Sequence, residues 1–312
     1  LTPLHQLTDQ IAGTDMWLYT PRAAYRMRGG RTAEQPATAG MNPPSGVVLR
    51  YYLAEAPSED TSVTLRMLEE DGTIIRSYTA KDDDLPAEAG MNQFSWNLSY
   101  PSAEGFEGLI MWAGSLSGPR AVPGMYEARL IVGDDSMSVP VEIKKDPRIS
   151  SSVADLQARF DFVKEANATL TETHRASKRI RSVRSQINTV TERVADMEGG
   201  EALVDNGKSL LEAMTSIEEP LYQTKNQSRQ DPLNFPIRLN NKLAAVKSTV
   251  QSGEFRPTDQ QIGVKDEMTR AIRVELDKLE ALMQDDVPAF NQMARELQVP
   301  AIYIKPAPAP TL

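Results

Sequence analysis

Two carboxylates three residues apart, Glu104 and Glu107, stand among Tyr100, Phe106 and Trp112. A glycosidase needs an acid and a second carboxylate about 5–9 Å apart, and two glutamates on one loop can meet that separation. Aromatic rings stack on the apolar faces of sugars, so the same five residues can instead form a carbohydrate-binding platform without chemistry. The competing structural reading is a solvated loop anchored by its aromatics. The sequence favours that reading, and no residue is assigned a catalytic role.

Other chemistry-bearing groups are sparser. Lys178, Arg179, Arg181 and Arg184 form a basic patch interleaved with Ser177, Ser182 and Ser185. Such a patch can meet an anionic surface or an acidic partner, or it can pair with acidic faces of neighbouring helices. Asp82-Asp83-Asp84 and Asp134-Asp135 offer oxygen ligands of the kind calcium takes, but neither has the glycine spacing of an EF-hand loop. His5 and His174 are the only histidines. His174 falls at a polar position beside Arg175, with no second ligand one helical turn away, and reads as a surface or inter-helix residue. No metal site and no cofactor are expected.

Composition narrows the classes further. The chain has 312 residues, 40% hydrophobic and 25% charged, long enough for roughly two domains. Its net charge of −9, without a basic stripe, argues against nucleic acid. Absence of cysteine excludes disulfides and thiolate chemistry. No apolar run approaches the ~18 residues of a membrane span. The start at Leu1, without a leader, reads as a mature form or a piece of something longer.

These residues must be positioned by two unlike regions. Residues 1–45 read as a lead-in: a short strand at Trp17-Leu18-Tyr19, one helical turn at Ala23–Arg26, then a Gly/Pro/Thr-rich linker. Residues 46–148 carry alternating apolar positions and turn signals. Val47, Leu49, Tyr51 and Leu53 share one face, as do Asn92, Phe94, Trp96 and Leu98 after Gly90. Further strands are expected at 63–67, 74–78, 109–112, 126–132 and 137–143, with Pro140 at an edge or bulge. Seven short strands predict a β-sandwich of immunoglobulin or fibronectin type III kind. From 149 to 300 the pattern becomes helical. Ser152 and Asp155 have capping-box spacing, and no Pro or Gly interrupts Val153–Met197. Leu203, Gly207, Leu210, Met214, Ile217 and Leu221 make a heptad stripe. Two more stripes follow, Leu239–Val250 and Val264–Met283, with a kink expected at Pro288. The expected class is α+β: a sandwich, then an antiparallel four-helix bundle with long helices, and a polyproline-like tail at 301–312.

Several strings in this order resemble the C-terminal region of bacterial exported sortilin-like or BNR (Asp-box) repeat "glycosyl hydrolase-like" β-propeller proteins. They are Trp17-Leu18-Tyr19-Thr20-Pro21-Arg22, Asn42-Pro43-Pro44-Ser45-Gly46-Val47-Val48-Leu49 with Tyr51-Tyr52-Leu53, Gly90-x-Asn92-x-Phe94-x-Trp96-Asn97-Leu98, Pro123-Gly124-x-Tyr126, Lys145-Asp146-Pro147-Arg148, and Asp231-Pro232-Leu233-Asn234-Phe235. The resemblance implies an exported protein whose propeller precedes these residues. The Asp-box pattern itself is absent here, and the nearest string, Glu69-Glu70-Asp71-Gly72, lacks its Ser and Trp.

The expectation is therefore a non-catalytic structural and protein-interaction region that docks on an N-terminal β-propeller of the same or an associated polypeptide, with residues 1–45 as the docking strip. Two alternatives stand beside it. One is a carbohydrate-binding accessory module with a polysaccharide ligand on Tyr100, Phe106 and Trp112; the other is a glycosidase using Glu104 and Glu107.

Overall fold

The computed structural model describes residues 4–27, 45–58, 60–81 and 85–299. The expectations for the 28–44 linker, for Asp82-Asp83-Asp84 and for the 301–312 tail lie outside the described residues.

In chain order the elements are α1 (Asp9–Ala12), β1 (Met16–Tyr19), β2 (Ala24–Arg26), β3 (Val47–Leu53), β4 (Val63–Glu69), β5 (Ile74–Thr79), β6 (Gly90–Trp96), β7 (Gly124–Val132) and β8 (Asp135–Lys145). Then follow α2 (Val153–Val194), α3 (Glu201–Leu221), α4 (Leu239–Ser252), α5 (Asp259–Ala281) and, after one π-helical turn at Leu282–Asp286, α6 (Val287–Glu296). The chain divides into two compact units. The sheet unit comprises the described residues of Leu1–Ser102, with Ser117–Lys164 and Gly253–Pro257; the helical unit comprises Ala103–Leu116, Glu165–Ser252 and the described residues after Thr258.

In the sheet unit, period-two alternation does what hydrophobicity dictates. Val47, Leu49, Tyr51 and Leu53 are buried, and so are Val63, Leu65 and Met67, Ala128 and Leu130, and Val139, Val141 and Ile143. They join Leu18 and Trp96 in one core. Two sheets contribute to it. The first is antiparallel, β1-β3-β6, with Trp17 opposite Tyr52, Tyr52 opposite Met91, Tyr19 opposite Arg50, and Arg50 opposite Gln93. The second has the order β2-β8-β7-β4-β5 and is mixed, because β2 runs parallel to β8.

That parallel pair overturns the expected sandwich of immunoglobulin or fibronectin III kind. Ala24–Arg26 is a strand, not a helical turn. Tertiary pairing overrides so short a local preference: the buried Arg26 donates from Nε to the Ala121 carbonyl at 2.8 Å and is ion-paired with Glu254. Residues 109–112 are not a strand either and belong to the helical unit. Pro140 lies where β2, which reaches only Ile143–Lys145 of β8, leaves that side of the ladder open, so its missing N–H costs no bond. At the other end of the unit, Leu156 and Phe160 of α2 pack with Val122 and Tyr100.

The capping box starting α2 is present. Ser152 Oγ accepts from Asp155 N at 3.1 Å, and Asp155 Oδ2 accepts from Ser152 N at 3.0 Å. Glu254 is the hub of the sheet unit's buried charges, paired with Arg26, with Arg159 at 3.3 Å and with Arg120 at 4.0 Å.

The expected long-helix antiparallel four-helix bundle is also corrected. The helices are unmatched: α2 has 42 residues, α3 21, α4 14 and α5 23. Only the part of α2 from Glu165 onward belongs to the helical unit, which also takes in the irregular 103–116 segment. A heptad stripe specifies that a face is buried, not what covers it. All six stripe residues of α3 are buried. Gly207 is required by close approach, since a Cβ there would lie 2.5 Å from Thr191 Cγ2 and 3.3 Å from Phe290. At Pro288 the chain widens into the π turn and begins α6 afresh, with the proline in its first turn, where a missing N–H breaks no helical bond.

Candidate functional site

The helical unit gathers the charged candidates around the 103–116 segment. Glu104 is bound at every polar group. Its N–H donates to Thr171 Oγ1 at 3.1 Å, its carbonyl accepts from His174, and its carboxylate accepts from Arg175 at 2.6 Å and from Lys178. Those two cations hold the carboxyl below the usual carboxylate range. A glycosidase acid needs the opposite shift, because it must carry a proton near neutrality. Glu107 is exposed.

The aromatics divide. Phe106 stands edge-on to His174 (ring centroids 5.4 Å apart) and to Tyr222 (5.0 Å), with the Arg181 guanidinium 4.5 Å above its ring. Tyr100 belongs to the sheet unit, where it packs edge-on against Phe160 and donates its hydroxyl to Glu69 at 2.9 Å. Trp112 alone of the three is open, 45% exposed. Its backbone is clasped by Asn241, whose Oδ1 accepts from Trp112 N at 2.7 Å and whose Nδ2 donates to Trp112 O at 2.6 Å.

Each cation of the basic patch has an acidic partner. Lys178 pairs with Glu104, Arg179 with Glu280 at 2.9 Å, and Arg181 and Arg184 with Glu218 at 3.0 and 2.8 Å. Glu218 is buried, and two bracketing guanidiniums supply the hydrogen bonds that a buried carboxylate requires. The patch therefore fastens α2 to neighbouring elements of its own unit.

The sequence placed His174 at a polar helical position, and burial is what it could not show. His174 is fully buried. Its Nδ1 lies 2.6 Å from the Glu104 carbonyl, which can only accept, so Nδ1 carries the proton and Nε2 accepts from Asn240 Nδ2 at 3.2 Å. Desolvation is the main cause of a pKa below the ordinary histidine value, which favours the neutral ring. Asn240 Oδ1 in turn accepts from Asn241 N at 2.7 Å. The buried Lys247 donates to Asn167 Oδ1 at 2.7 Å, and burial pulls it down to about 8. The sequence reading gave Asn240, Asn241 and Lys247 no role; the available signal was the spacing of Asn240 and Lys247, two turns apart in a helix with a narrow apolar stripe.

Among the described residues no group of three His, Cys, Asp or Glu is arranged to hold a metal ion, and no helix is long and apolar enough to cross a membrane. No protein-family model matches the chain, and no curated protein matches it. A solved structure titled "pT26-6p" aligns at 10% sequence identity over 82% of this chain and 48% of that one, with a TM-score of 0.15. The chain thus spans about half of that chain's length, and a likeness at that TM-score indicates neither fold nor function.

Proposed function

We propose that this chain is a non-catalytic structural and protein-interaction region of a larger exported bacterial protein, and that it docks on a β-propeller of the same or an associated polypeptide. The observation that supports a non-catalytic role is the state of Glu104, an ion-paired carboxylate with a lowered pKa whose backbone anchors the 103–116 segment. Docking through the lead-in is supported by Leu7, Tyr25 and Met27, which leave apolar surface open there. Such side chains become favourable contacts once a partner removes them from water.

The test has two arms. The purified chain is assayed against a panel of glycosides and polysaccharides beside Glu107→Gln; no turnover is expected, and turnover abolished by that change would overturn the reading. The β-propeller is then mixed with the chain and with a Leu7→Ser/Tyr25→Ser variant in sedimentation velocity. A complex is expected with the first and a weakened one with the second, and no complex with either would overturn the docking role.

A further inference from the structure

The three-stranded sheet has a second face, opposite the core. Leu18 of β1, Leu49, Tyr51 and Leu53 of β3, and Asn92 and Trp96 of β6 point inward and are buried. By alternation the outward residues are Trp17 and Tyr19; Val48, Arg50 and Tyr52; and Met91, Gln93 and Ser95. Register aligns them in cross-strand rows: Trp17–Tyr52–Met91, Tyr19–Arg50–Gln93 and Val48–Ser95. Directly opposed residues on neighbouring strands stand about 5 Å apart at Cβ, so Trp17 and Tyr52 are side by side, with Arg50 and Tyr19 in the next row.

Three features of this face go unexplained by the fold. Trp17 and Tyr52 are half-buried aromatics that pack into no core cluster. The half-buried Arg50 makes no ion pair among the described residues, and none of its cross-strand, diagonal or same-strand neighbours on the face is acidic. Tyr19 is buried, yet its hydroxyl has no hydrogen-bond partner; a buried unsatisfied polar atom costs roughly 1–3 kcal/mol. Burial, and next the neighbouring Tyr52, push that phenol above its ordinary range.

We infer that this face binds an acidic sugar, a pyranose ring carrying a carboxylate. Trp17 and Tyr52 stack on the ring, and Arg50 takes the carboxylate in a two-pronged bond. The charge argument selects the ligand class: a guanidinium with no ion pair among the described residues, set between aromatics and the Gln93 amide, complements an anion with an apolar ring face. The inference does not rest on the docking role, whose exposed apolar residues are Leu7, Tyr25 and Met27, and it places a saccharide site away from Tyr100, Phe106 and Trp112.

The full chain is titrated with oligogalacturonide, followed by tryptophan fluorescence and calorimetry, with cellohexaose as the neutral sugar and acetate as the free anion. Saturable binding of the oligogalacturonide alone is expected. Arg50→Gln weakens it roughly tenfold or more. Trp17→Ala weakens it roughly tenfold by removing one stacking ring. No saturable binding by the folded chain, equal binding of cellohexaose or acetate, or unchanged affinity in Arg50→Gln would each overturn the assignment.

Discussion

Asn241 holds the backbone of Trp112 at both its polar groups, donating to its carbonyl at 2.6 Å and accepting from its N–H at 2.7 Å. A side-chain amide thereby supplies the two bonds that a neighbouring strand would have made. At the other end of the same segment His174 donates to the Glu104 carbonyl, and Asn240 joins the two anchors by bonding both His174 and the Asn241 backbone. Asn241→Ala leaves the Trp112 N–H and carbonyl without their partner, at about 1–3 kcal/mol. Amide hydrogen exchange is expected to accelerate at 104–116 ahead of the rest of the helical unit; uniform acceleration would refute the clasp.

His174 ties the stability of this anchor to pH. In the unfolded chain a histidine takes up its proton as pH falls through about 6.5, whereas the buried ring resists it until lower pH. Unfolding therefore binds a proton in that window, and stability falls as pH drops from about 7 toward 5. Glu104, held low, and Asp146 and Asp155, pushed down to about 2, act in a separate window below the ordinary carboxylate pKa, where protonation removes their pairing. Urea midpoints measured between pH 5 and 7 should slope less in His174→Gln than in the natural chain. An identical slope would exclude the histidine.

Glu254 serves buried Arg26 and Arg159 at once. Replacing one partner of a buried charge group leaves the others poorly compensated, at about 3–5 kcal/mol. Glu254→Gln is expected to lower the urea midpoint by that order, while Glu142→Gln, whose pair with Lys144 is solvent-exposed, should change it by less than about 1 kcal/mol. Equal effects would remove the special standing of Glu254.

Two glycines offer an opposed pair. At Gly207 a methyl group would lie 2.5 Å from Thr191 Cγ2, so Gly207→Ala should destabilise by about 1–3 kcal/mol. At Gly263, inside α5, a Cβ meets nothing within 4 Å. Gly263→Ala should stabilise by about 0.5–1 kcal/mol through helix propensity alone. Thermal melts of both variants check the close approach, which fails if Gly207→Ala melts no lower than the natural chain.

Elements with a strong local signal were legible. The alternation of Val47–Leu53, the capping box at Ser152–Asp155 and the stripe of α3 each follow from a side-chain period or a short-range bond that the sequence displays directly. The heptad spacing also put Gly207 on the buried face, although only the positions of Thr191 and Phe290 show why a glycine is needed.

What the sequence by itself determined is therefore which apolar residues of the regular strands and helices turn inward and where the chain switches from a period of two to one of 3.6. Only the tertiary structure decided the partners. Ala24–Arg26 becomes a strand because β8 lies parallel beside it, and Trp112 stays out of any strand because Asn241 occupies its hydrogen bonds. The basic patch of α2 and Glu104 likewise meet carboxylates and cations far away in the chain. Periodicity arises within one element and can be read along it. Pairing is chosen between elements by burial and hydrogen-bond satisfaction, and those terms take their value only once distant residues are brought together.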